Sequence, residues 1–83
     1  MAMKTVVVSR LADKALRKMQ PKRRAAILEK IHDYARGEPV DIKKMQGVPW
    51  YRKRVGQDRV IIDDQGIVIM VINAGPRGSI YME

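Results

Sequence analysis

The polar and apolar positions divide the chain into one strand, two helices and then three strands. Val6, Val7 and Val8 form a β-branched run, which predicts a short strand over 3–8 buried on both faces. Ser9 follows as a helix N-cap, and Leu11, Ala12, Ala15, Leu16 and Met19 recur at helical spacing. Gln20-Pro21 breaks that helix and opens another, because proline is tolerated at a first helical position, where no intrahelical donor is required. Ile27, Leu28, Ile31, Tyr34 and Ala35 form the stripe of this second helix, which stops at Gly37 with Pro39 just beyond. The two helices therefore read as a hairpin with one apolar side.

Residues 40–47 read as a loop carrying Lys43 and Lys44, and Gly47-Val48-Pro49 delays regular structure until Trp50. Three β runs follow, at 50–55, 59–63 and 67–73, separated by Gly56-Gln57-Asp58 and Asp64-Gln65-Gly66, both tight-turn sequences. The third run is apolar from Ile67 to Ile72, the pattern of a central strand covered on both faces. The resulting order is βααβββ: an α+β fold with the helical hairpin packed on one face of a largely antiparallel sheet. No internal repeat, low-complexity tract or linker interrupts it, so residues 1–83 read as a single small domain.

Composition narrows the picture. An 83-residue chain buries a smaller share of its surface than a larger domain does, and without cysteine no disulfide or thiolate metal site supplements its core. Seventeen Lys+Arg against nine Asp+Glu leave a net charge of +8, which suits a polyanionic partner. Met1 to Arg10 contains only three consecutive valines, too few for the apolar core of a signal peptide, and no run has the length of a membrane span. The expectation is a cytoplasmic protein with no membrane partner.

The candidate chemistry lies in the first two β runs. Alternate residues of a strand share a face, so Trp50, Arg52 and Arg54 point one way while Tyr51, Lys53 and Val55 point the other. If the next run pairs as a hairpin, Arg59 near the turn reaches the same face and three guanidinium groups cluster. Such a cluster repels itself unless an anion is present, and guanidinium matches phosphate through its planar fork of donors. Beyond the third run, two glycines and Pro76 predict a compact turn that returns Arg77 and Tyr81 over the sheet. Lys22, Arg23 and Arg24 open the second helix against its macrodipole and form a second candidate contact for RNA or an acidic partner, as do Lys43, Lys44 and Lys53. His32, the only histidine, reads as a helix-surface residue, and the adjacent Asp63-Asp64 as a turn-forming pair, so no metal site or cofactor is expected.

Lys44-Met45-Gln46-Gly47, Trp50-Tyr51-Arg52-Lys53-Arg54-Val55-Gly56, Arg59-Val60-Ile61 and Gly75-Pro76-Arg77-Gly78-Ser79-Ile80-Tyr81, in that order, resemble the RelE/ParE toxin superfamily of bacterial toxin–antitoxin systems. The resemblance spans essentially the whole chain, and its C-terminal half is the specific part. It implies a microbial-RNase-like fold and a toxin neutralised by a cognate antitoxin. It also implies one of two targets: mRNA in the ribosomal A site, cut without metal in the RelE branch, or DNA gyrase, poisoned in the ParE branch. The RelE branch is favoured by the presence of both Arg77 and Tyr81. Matched by motif, Arg52 and Arg54 are the basic pair on the sheet, and Arg59 is the arginine of the following strand. Arg77 and Tyr81 are the C-terminal basic and aromatic residues of the RelE-type catalytic site, with Tyr81 the candidate base or stacking platform and Lys53 the fallback base. Two positions depart from the pattern. Arginines stand where some ribonuclease members carry lysines, and Asp58 stands where an aromatic residue often precedes the second-strand arginine.

Overall fold

The computed structural model describes residues 4–76. Its elements are β1 (Thr5–Val8), α1 (Arg10–Arg17), α2 (Pro21–Ala35), β2 (Lys43–Lys44), β3 (Tyr51–Val55), β4 (Asp58–Asp64) and β5 (Val68–Pro76). The strands form one sheet in the order β1-β5-β4-β3-β2, parallel only where β1 meets β5. Two helices on a mostly antiparallel sheet is the α+β architecture the sequence pattern predicts.

Helix boundaries follow local chemistry. The Ser9 hydroxyl accepts the Ala12 N–H at 3.1 Å and donates to the Ile72 carbonyl at 2.8 Å, so one side chain caps α1 and ties it to β5. Pro21 starts α2, and Gly37, at φ +86, ends it in a Schellman arrangement: its N–H reaches the Tyr34 carbonyl while the Glu38 N–H reaches that of Asp33. The principal core lies between helices and sheet. Ala12, Leu16 and Met19 from α1 and its C-terminal turn, Ile27, Ile31 and Ala35 from α2, and Val60, Ile62, Ile69, Val71 and Ala74 from the sheet are buried together. The opposite sheet face carries a smaller apolar cluster, where Met45 and Ile61 are buried against Val48, Trp50 and Ile72.

Several expectations are corrected. The valine run is an edge strand covered on one face only: Val6 and Val8 pack against the helix-side core, while Val7 on the opposite face is 38% exposed. Leu11 lies outside the α1 stripe and is 55% exposed, being turned away from the core beside the buried Ala12. The stretch read as a loop contains β2, which Lys43 and Lys44 form by pairing with Arg52 and Tyr51. The central strand starts at Val68, leaving Ile67 80% exposed in the turn, and on its open face Met70 and Ile72 are only half-buried. Ala74, Gly75 and Pro76 extend β5 instead of forming a turn, since β4 offers partners as far as Asp58.

Candidate nucleic-acid interface

Strand alternation and register assemble the basic face. Arg54 is directly opposite Arg59 across the β3–β4 pair, and Arg52 is opposite Ile61, two residues further along the same face. Lys43 on β2 is opposite Arg52, so the row runs Lys43, Arg52, Arg54 and Arg59 over three strands. Side chains directly opposite in an antiparallel pair have Cβ atoms about 5 Å apart, and alternate residues along a strand are separated by about 6.7 Å. Gly75 is the residue of β5 opposite Arg59. Arg59 is half-buried with its Nε enclosed, whereas Arg54 is exposed. The hairpin that makes this pairing possible turns through Gly56-Gln57, with Gly56 at φ +61, where a side chain is disfavoured.

A cleft of about 400 Å³ opens beside this row, bordered by Asp41, Lys43, Arg52, Lys53, Arg54 and Gly56. Trp50 lies on the same sheet face and packs against Ile61 and Met45. Arginine forks and an aromatic ring on one sheet face are side-chain types used in single-stranded nucleic-acid binding: charge for phosphate, and a flat apolar surface for a base.

No protein-family model matches the chain, and no curated protein matches it. Solved structures do. The RelB–RelE antitoxin–toxin complex of Methanococcus jannaschii is 26% identical, covering 92% of this chain and 95% of the matched chain at a TM-score of 0.75. The RelE–RelB complex of Pyrococcus horikoshii is 27% identical over 95% of this chain and all (100%) of the matched one, at 0.72. The chain belongs to the RelE-like toxin superfamily. The free Escherichia coli RelE toxin, in a doubly arginine-to-alanine substituted form, shares the RelE fold at a TM-score of 0.77, with 20% identity over 94% of this chain and 88% of that one.

Not every cation singled out in the sequence joins the row of this RelE-like domain. Lys44 is opposite Tyr51 and Lys53 opposite Val60, which places both on the helix-facing side, although Lys53 borders the cleft at the sheet edge. Lys22, Arg23 and Arg24 sit in the first turn of α2, on the layer behind the sheet. Arg23 is already engaged: its Nε donates to Asp58 Oδ2 at 3.0 Å and its Nη2 to Oδ1, and this hydrogen bonding raises its pKa. Arg77 and Tyr81 lie outside the described residues.

Two features were not legible in the sequence. One is the Arg23–Asp58 pair, which joins residues 35 positions apart. The other is a network at the far end of the sheet. Lys4 Nζ donates to both Asp64 oxygens at 3.0 and 3.1 Å, the Tyr34 hydroxyl donates to Oδ2 at 2.5 Å, and Lys4 Nζ lies 5.7 Å from the Tyr34 ring centroid. Partial burial pushes the Asp64 pKa up, but the hydrogen bonds from Tyr34, the Gly66 N–H and Lys4 outweigh it and hold the carboxyl below its ordinary range. Burial and the same hydrogen bond push the Tyr34 phenol well up. This network pins the start of β1, α2 and the β4–β5 turn together.

Proposed function

We propose that this RelE-like chain is the toxin of a type II toxin–antitoxin pair and acts as a metal-independent endoribonuclease on mRNA at the ribosome. The observation that carries the reading is the register pairing of Arg54 with Arg59, with Arg52 and Lys43 extending the row. Four cations along one sheet face suit a phosphodiester, whose oxygens match the planar fork of guanidinium donors.

In the reaction, the ribose 2′-oxygen attacks the adjacent phosphorus in line as the P–O5′ bond breaks. The products are a 2′,3′-cyclic phosphate and a 5′-hydroxyl. The 2′-OH proton passes to a base, for which Tyr81 is the candidate. The departing 5′-oxygen takes a proton from solvent water. Arg52, Arg54 and Arg59 hold the scissile phosphate, and Arg77 offsets charge on the pentacovalent phosphorane or the leaving oxygen. Trp50 provides an apolar wall beside the row.

The matched Methanococcus jannaschii and Pyrococcus horikoshii RelE structures are complexes with RelB antitoxins. That supports a cognate antitoxin as partner here, and a +8 chain suits an acidic wrapping segment. Primer-extension mapping of mRNA from a reconstituted translation reaction tests the activity, with wild type beside Arg59→Ala and Arg77→Ala. Discrete in-frame cuts that vanish in both variants are expected. No cuts with wild-type protein, together with DNA-damage signalling in expressing cells, would overturn the ribonuclease reading in favour of gyrase.

A further inference from the structure

The tip of the β3–β4 hairpin separates two small clefts. Arg54, Gly56, Gln57, Asp58 and Arg59 border one of about 220 Å³. Lys22, Arg23, Ala26 and Val55, with Gly56, Gln57 and Asp58, border another of about 230 Å³ on the helix side. Asp58 belongs to both, and among the described residues it is the one buried charged side chain, 2% exposed. By alternation it faces the helices, where Arg23 meets it with two donors. The first turn of α2 contains no acidic residue and three consecutive cations, so the Asp58 carboxylate supplies, from the sheet, the negative charge that this helix end lacks.

Asp58 is also the chain neighbour of Arg59, and its partner across the strands, Val55, is the neighbour of Arg54. A carboxylate here that nothing neutralised would lie within a Debye length of both arginines and would lower the potential a phosphate meets. We infer that Arg23 and Asp58 are positioning residues for phosphate binding: Arg23 draws the Asp58 carboxylate onto α2 and neutralises it there, so the arginine row keeps its positive potential for RNA. This rests on the phosphate-binding reading of the row. Arg23 itself touches no substrate.

Binding of a 2′-O-methylated RNA oligonucleotide, which cannot be cleaved, tests this at neutral pH and fixed low salt, well below the melting temperature of every variant. Arg23→Gln is expected to weaken binding about tenfold by leaving Asp58 uncompensated. Arg23→Lys, which keeps the charge, and the double variant Arg23→Gln/Asp58→Asn, which removes both charges, are each expected to bind within about twofold of wild type. A pair that only scaffolds the hairpin gives the opposite pattern, with the double variant at least as weak as Arg23→Gln; that result, or wild-type affinity in Arg23→Gln, overturns the inference. Arg54→Ala measured alongside separates the two readings. If it binds as wild type does, the phosphate row is wrong and this inference falls with it; if it binds weakly while Arg23→Gln does not, only the inference fails.

Discussion

Replacing Arg54 by glutamine should stabilise the domain while weakening its grip on RNA. Arg54 is exposed and directly opposite Arg59, with Arg52 two residues away on the same strand face. Removing one charge from a directly opposed like pair relieves about 0.2–1 kcal/mol. For a domain of this size each kcal/mol shifts the melting temperature by about 4–8 °C, so the expected rise is about 1–8 °C at low ionic strength. The gain should shrink with added salt, because the screening length falls from about 10 Å at 0.1 M to about 3 Å at 1 M. Thermal melts of wild type and Arg54→Gln across that salt range read the first effect. Binding of single-stranded RNA over the same range reads the second, where losing one phosphate contact should reduce the slope of log K against log salt by about 0.7. A lowered melting temperature in Arg54→Gln at low salt, or a rise indifferent to salt, would refute the electrostatic argument.

Other predictions concern the frame that carries the row. Because Asp64 is held below its ordinary range, its contribution to stability is complete above the unfolded-state value near ~3.9 and is lost as pH falls through the lower folded value. Tyr34, raised in the folded state, adds a second limb: above about pH 10 the unfolded chain gives up the phenolic proton while the folded one retains it, and stability falls. Tyr34→Phe should therefore cost about 1.5–3 kcal/mol near neutrality in urea melts, and the gap to wild type should narrow at both pH extremes. A gap that stays constant with pH would contradict this account. Gly56→Ala places a side chain at φ +61 and should cost about 1–2 kcal/mol, with amide exchange accelerating first in β3 and β4. Unchanged exchange there would mean that the turn does not govern the hairpin.

Much of the candidate site was readable because it depends on alternation within single strands. Trp50, Arg52 and Arg54 share a face in any extended chain, and Gly56-Gln57 between two β runs calls for a hairpin that brings Arg59 to Arg54. Lys43 was recognised as a cation but not as a member of the row, since a two-residue strand leaves no periodicity to detect. Arg23 was read as a surface contact because nothing near it in sequence hints at a carboxylate partner on β4. Asp58 was read as the end of a tight turn and as a departure from a motif, whereas it is the first residue of β4. In space it is the buried anchor of the hairpin tip.

The sequence by itself determined the local conformations, the capped helices, the side of each strand that carries charge, and the family pattern. These follow from steric and hydrogen-bonding preferences acting over a few residues, which the chain carries wherever it folds. Tertiary structure alone decided that β1 is an edge, that β2 exists, that Ile61 starts a second apolar cluster under Trp50, and that Arg23 neutralises Asp58 while Lys4 and Tyr34 hold Asp64. Each of these depends on which distant segments meet. That is settled by the joint packing of helices and sheet around one core, a property of the whole chain that no local window contains.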